Sequence, residues 1–263
     1  SLPPPTKPRP RSESASPKPA PEPIPVPEPG PTKPKPESKP RSENEKEILG
    51  PKLSIQQESA PSEDHLEMNE DAIFSDPIKG VAGVFDGLGG GWGGSEAANF
   101  AKTYIERELK NLPNNLSSQE TQEALRQIIL DANEELTSKK GEIVAQTEFP
   151  GRPWLKDSLK EAKGQRRILN TTASVVKIWR RENETKAVIG NVGDGVVYVY
   201  RANGKLESIT VPDRSSPSVY VVDQYLGKED GIKPNMYDVN IDKGDKIIIM
   251  SDGIPDNLTD KEI

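Results

Sequence analysis

The chain has 263 residues, of which 26 are proline, one is histidine and none is cysteine, and its formal net charge is −7. Without cysteine it has no thiol nucleophile, no disulfide and no cysteine zinc site. The one histidine, His65, leaves no His–His metal pair and argues against a histidine-based triad, so chemistry falls to Asp, Glu, Ser, Thr, Lys and Arg.

Of the 26 prolines, 16 lie in residues 1–40, where 7 Lys and Arg face 4 Asp and Glu. That stretch is net +3, which leaves residues 41–263 at −10. Steps such as Pro21-Glu22-Pro23-Ile24-Pro25 cannot bury a core and favour an extended polyproline II path. Residues 1–50 are therefore expected to be a proline-rich disordered tail or linker. A spacer is the favoured role, and a ligand for a proline-binding module is the alternative. The acidic body argues against nucleic acid as a partner, and no run of about 18 apolar residues offers a membrane span.

The folded region is expected over residues 63–263. Apolar runs at 72–74 and 81–85 predict two strands. Ser95 is placed to cap a helix with Ala97, Ala101, Tyr104 and Ile105 on one face. Ser117 and Glu120 form a capping pair for a second helix, carrying Leu125, Ile128, Ile129, Ala132 and Leu136. Residues 140–168 break that pattern around Phe149-Pro150-Gly151 and read as an insertion with room for some helix. Strands follow at 171–179, 186–191, 196–201 and 206–211. A long polar loop over 212–235 comes next, then strands at 237–241 and 246–251, the last with a buried-type Ile247-Ile248-Ile249-Met250 run. Helices first and a strand meander after them predict an α+β layered fold.

Four stretches place acids at strand ends, three of them beside glycine, where backbone approaches closely. They are Asn69-Glu70-Asp71, Asp86-Gly87-Leu88-Gly89-Gly90 with Gly93-Gly94, Gly190-Asn191-Val192-Gly193-Asp194-Gly195, and Ser251-Asp252-Gly253-Ile254-Pro255-Asp256. Taken singly, each Asp-Gly is a turn dipeptide. Together they supply the oxygen ligands that hard cations such as Mg²⁺ and Mn²⁺ take. Two ions about 4 Å apart can bind phosphoryl oxygens and acidify a bridging water. A calcium module fits less well, because no Asp-x-Asp-x-Asp-Gly loop with a trailing Glu is present.

In this order, with Thr171-Thr172 before a strand, the stretches resemble those of metal-dependent serine/threonine protein phosphatases of type 2C, and the form of the last motif resembles the bacterial branch. The resemblance implies a β-sandwich flanked by helices, and hydrolysis of phosphoserine or phosphothreonine on phosphorylated protein substrates by a water bridging two ions, Mn²⁺ or Mg²⁺. It implies that Glu70, Asp86 and the carbonyl of Gly87 hold one ion, and that Asp86 and Asp252 hold the second. Asp71 lies in the outer shell, and Asp194, Asp252 and Asp256 form a weaker third position. It places a variable flap at 212–235 and a cytoplasmic, bacterial setting.

Three departures qualify the transfer. Leu66 stands where the family has a phosphate-gripping arginine; His65 beside it is assigned no role. Leu88 stands where some members have a histidine. The family's last metal-binding Asp lies beyond Ile263, so the domain is read as truncated, and residues 1–263 alone are expected to be weakly stable and nearly inactive. A pseudophosphatase that binds phosphoproteins without turnover is the alternative, favoured by the missing arginine and opposed by retention of Glu70, Asp86 and Asp252.

Overall fold

The computed structural model of the chain describes residues 53–60, 69–88, 92–146, 169–181, 183–216, 219–259 and 262–263. The chain divides into two units, Ser1–Lys46 and Glu47–Ile263, and every described residue belongs to the second. The proline-rich tail, His65, Leu66 and most of the expected insertion lie outside the described residues.

Alternating burial builds the first hairpin. β1 (Ala72–Asp76) and β2 (Val81–Phe85) each send every second residue inward, and Gly80, at φ 62°, supplies the left-handed turn between them. The register Ala72↔Phe85 puts the residues before β1 and those after β2 at one end. After β3 (Gly87–Leu88) come the helices α1 (Trp92–Asn111) and α2 (Ser118–Gln146). The strands then run β4 (Asn170–Thr171), β5 (Ala173–Arg181), β6 (Glu184–Val192), β7 (Val196–Tyr200), β8 (Leu206–Ser208), β9 (Arg214–Ser216), β10 (Val219–Val222), β11 (Asn235–Asn240) and β12 (Lys246–Met250).

Two sheets make the sandwich, one of five strands in the order β1-β2-β5-β6-β11 and one of three in the order β12-β7-β8. Side chains of successive strand residues point to opposite faces, and this alternation sorts the core. Val175, Val188 and Val192 face α1 and α2, whereas Val176, Ala187 and Ile189 face Val197, Ile247 and Ile249 of the second sheet. Ile248 and Met250 lie on the outer side of that sheet with Val196, Tyr198 and Ile263. The apolar run of β12 is thus split between two layers, on an edge strand whose ladder partner is β7. The α+β sandwich expected from the sequence is the fold observed, with both described helices packed on the five-stranded sheet.

The start of α1 corrects the sequence reading, and the end of α2 extends into the expected insertion. α1 begins at Trp92, so Ser95 lies inside it and caps nothing. Gly93 and Gly94 are poor helix formers, but the missing side chain of Gly94 lets the first turn lie against Gly87 and Glu70. α2 runs past residue 140 to Gln146, because Lys140 is a buried tether rather than a surface residue. Its ammonium donates to the Gly227 carbonyl at 2.7 Å and to Asn170 Oδ1 at 3.2 Å. Two turns closer to the start of α2, Asn133 Oδ1 accepts from the Gly227 and Lys228 amides.

The start of α2 is a reciprocal cap: Ser117 N–H donates to the Glu120 carboxylate at 2.8 Å, and Glu120 N–H donates to Ser117 Oγ at 3.1 Å. Ser117→Ala is expected to cost about 1 kcal/mol, read as a lower midpoint in urea at unchanged slope.

The strand expected over 206–211 is regular only in β8, because the Thr210 hydroxyl takes the Val197 N–H at 2.9 Å where a carbonyl would continue the ladder. The connection from β11 to β12 is locked by Asp245, whose carboxylate accepts from Asp242 N–H, Ala202 N–H and Arg201 Nη1. Burial works to raise its pKa, but those donors outweigh it and hold the group below the ordinary carboxylate value. A carboxylate with a depressed folded pKa stabilises fully above its unfolded value and loses that contribution as pH falls through its folded one. Asp245→Ala should therefore cost about 2 kcal/mol at pH 7, and the gap to wild type should close below about pH 4 in denaturant titrations across that range. Among the described residues no helix is long and apolar enough to cross a membrane.

Candidate active site

Register alone gathers the acids. Ala173↔Val192, Val84↔Ser174 and Met250↔Val196 bring the end of β2, the start of β5, the β6–β7 turn and the end of β12 to the end of the sandwich where β1 begins. Glu70 and Asp71 precede β1, Asp86 follows β2, Gly87 opens β3, Asp194 lies between β6 and β7, and Asp252 and Asp256 follow β12.

Asp86 is fixed through its backbone. Its N–H donates to Thr172 Oγ1 at 3.1 Å, and its carbonyl accepts from Thr172 N–H and Thr171 Oγ1, both at 2.8 Å. Both threonines are buried, which explains the Thr-Thr pair at that point of the sequence. Asp71 is tied across the sandwich by the Ser251 hydroxyl, which donates to its Oδ2 at 2.9 Å. Glu70 is placed by absence of bulk: a Cβ on Gly94 would strike its carboxylate and the Gly87 backbone. In the β6–β7 turn, Gly193 at φ 101° allows the reversal, and buried Asn191 braces it by accepting from Ser174 Oγ and donating to the Gly193 carbonyl.

The electrostatics follow from burial. Desolvation, followed by repulsion from Asp71, Asp252 and Asp194, pushes the Asp86 carboxyl up to about 8. Burial likewise raises Asp71, against the Ser251 hydrogen bond. Asp194 is raised by burial and by Asp252, with Arg214 opposing. Asp71, Asp86, Asp194 and Asp252 therefore form one interacting set centred on Asp86.

Arg214, the first residue of β9, is the functional candidate that the sequence reading missed. The stretch read as a loop over 212–235 contains β9 and β10, paired as a short ribbon. Its base is stapled to the acidic turn: Asp213 N–H donates to the Gly193 carbonyl at 3.0 Å, and Asp213 carboxylate oxygens accept from Gly193 N–H and Asn235 Nδ2. Arg214 then reaches Asp194 at 2.9 Å, Asp256 at 2.9 Å and Asp252 at 3.2 Å. Asp256 is thus joined to the set through this guanidinium. No local sequence signal marks it, because its partners lie 20, 38 and 42 residues away.

Hard oxygen donors fit Mg²⁺ or Mn²⁺, and buried carboxylates that raise one another's pKa suit a bound cation. Among the described residues, no three Asp, Glu or His side chains stand close enough to form a finished ion cage.

The fold is thus an α+β sandwich with acids gathered at its strand ends and the Asp86 backbone held by a Thr pair. Residues 55–263 match the family model of protein phosphatase 2C, and the chain belongs to that family. Comparison with curated proteins gave no match. Among solved structures it is similar to PppA of Pseudomonas aeruginosa, described as a key regulatory component of T6SS, at 21% identity over 75% of this chain and 76% of that one, with TM-score 0.55. It is similar to the serine/threonine phosphatase Stp1 of Staphylococcus aureus at 17% identity over 80% and 84%, TM-score 0.56. It is also similar to the Mycobacterium tuberculosis phosphatase PstP/Ppp at 16% identity over 74% and 77%, TM-score 0.54. These likenesses establish the fold.

Proposed function

We propose that the protein hydrolyses phosphoserine and phosphothreonine on phosphorylated proteins and that it depends on Mn²⁺ or Mg²⁺. The observation that carries this is the convergence of Asp71, Asp86, Asp194 and Asp252 from separate strand ends in a chain of the protein phosphatase 2C family. Glu70, Asp86 and the Gly87 carbonyl would hold one ion, Asp86 and Asp252 a second, with Asp71 orienting from the outer shell.

Bound ions supply positive charge to the phosphoryl oxygens and acidify water. The chain's own groups fix where that happens. Thr171 and Thr172 hold the Asp86 backbone, so its carboxyl projects from a rigid point. Ser251 orients Asp71. Gly87 and Gly94 pack without side chains, so backbone and the Glu70 carboxylate can approach the same spot. No side-chain nucleophile is required, consistent with the absence of cysteine.

In the full-length protein, hydrolysis of a phosphothreonyl peptide should need millimolar Mn²⁺ or Mg²⁺, stop with chelator and resist thiol alkylation. Turnover that persists undiminished in chelator would overturn the assignment. The non-catalytic alternative is favoured by one observation, the Arg214 bridge across three of the acids. It predicts phosphopeptide binding with no turnover in the same assay.

A further inference from the structure

Of the acids at this end of the sandwich, Asp194, Asp252 and Asp256 differ from the rest because they already share a positive group. Arg214 Nε donates to Asp194 Oδ2 at 2.9 Å. Its Nη1 and Nη2 grip the two oxygens of Asp256 at 3.1 and 2.9 Å, and Nη2 also reaches Asp252 Oδ2 at 3.2 Å. The guanidinium is charged at every working pH, and its planar fork matches a carboxylate bidentately. Its side chain is 14% exposed and that of Asp194 3%, so this bond is little weakened by solvent, whereas Asp252 and Asp256 are partly exposed.

We infer that Arg214 is the resident cation of the outer carboxylate triad Asp194–Asp252–Asp256, so that no metal ion binds there and the flap is anchored to the acidic end of the sandwich instead. Charge and space carry the argument, because a cation already occupies the position where the three acids meet. A small divalent ion needs carboxylate oxygens at about 2.1 Å. Both Asp256 oxygens and one oxygen each of Asp194 and Asp252 are already committed to N–H donors, and the guanidinium fills the space between them. Asp252 keeps its Oδ1 outside this bridge, available to an ion shared with Asp86, whereas Asp256 has no oxygen outside it. Asp256 therefore serves the arginine, and Arg214 is a positioning residue. The flap connection follows from the chain: Arg214 opens β9, and Asp213 beside it is stapled to Gly193.

This inference rests on the metal-dependent reading above, and the test separates the two. Mn²⁺ bound per chain is counted from the loss of the aqueous ion's paramagnetic resonance signal, using the full-length protein, with circular dichroism as the folding check. Wild type should bind a fixed number of ions. Arg214→Gln should bind one more, and its melting temperature, lowered in chelator, should recover with Mn²⁺ by more than wild type gains. Asp256→Asn, with the arginine in place, should keep the wild-type count, and this variant still decides the matter if Arg214→Gln does not fold. An unchanged count in folded Arg214→Gln, or loss of an ion in Asp256→Asn, overturns the inference and leaves the metal-dependent reading standing. An unchanged count together with weaker inhibition by inorganic phosphate would make Arg214 a phosphate ligand, which also overturns it. Wild type that binds no Mn²⁺ overturns both.

Discussion

Asp86→Ala in the full-length protein is expected to lower Mn²⁺-supported hydrolysis of a phosphothreonyl peptide by on the order of 10³-fold while leaving the fold intact. Asp86 is the centre of the acidic set, and both proposed ion positions use it. Its removal also relieves a strain, because folding must desolvate this carboxyl among Asp71, Asp252 and Asp194. The melting temperature in chelator should therefore hold or rise. A fall in activity with a stable fold is the signature of a site residue; a fall in both would mark Asp86 as structural. Asp252→Ala should be comparably severe. Asp194→Ala should reduce turnover less, since Asp194 faces Arg214.

The second large effect is expected at Gly94, and local propensity predicts the opposite sign. Gly94 lies within α1, where Gly→Ala ordinarily stabilises by about 1 kcal/mol. Here the added Cβ would meet the Glu70 carboxylate, and it would lie 2.8 Å from the carbonyl carbon and oxygen of Gly87. Gly87 is backbone at the centre of the site and cannot move aside cheaply. Gly94→Ala is expected to destabilise by roughly 2 kcal/mol, a drop of about 6 °C in a domain of this size. Displacement of Glu70 should also weaken activity by on the order of 10²-fold. A thermal melt with a Mn²⁺ titration of activity tests both, and a stabilised, fully active Gly94→Ala would contradict the packing described.

Much of the site could be read from the sequence because its acids sit where local rules act. Asp86, Asp194 and Asp252 each follow an apolar run and precede or flank glycine, so strand end and turn were visible together. Ser117 and Glu120 announced α2 for the same reason: a cap is a four-residue pattern. The start of α1 was missed because Gly93 and Gly94 look like loop residues, and the packing of Gly94 on Gly87 and Glu70 is a contact between distant parts of the chain. The burial of Lys140 could not be read locally, because its partners, Asn170 and Gly227, are 30 and 87 residues away. Arg214 was hidden in the same way. Nothing local marks Asp213-Arg214 as different from loop, and its role arises from strand order, which brings the β6–β7 turn, the flap and the end of β12 together.

The central claim is that Asp86 and its neighbouring acids make this chain a metal-dependent protein phosphatase. Its most direct test is release of phosphate from a phosphothreonyl peptide by the full-length protein, with and without Mn²⁺, in wild type and Asp86→Ala side by side. The account predicts turnover that appears with Mn²⁺, vanishes with chelator and falls by on the order of 10³-fold in Asp86→Ala, with no drop in melting temperature in chelator. Equal turnover from wild type and a folded Asp86→Ala would contradict it.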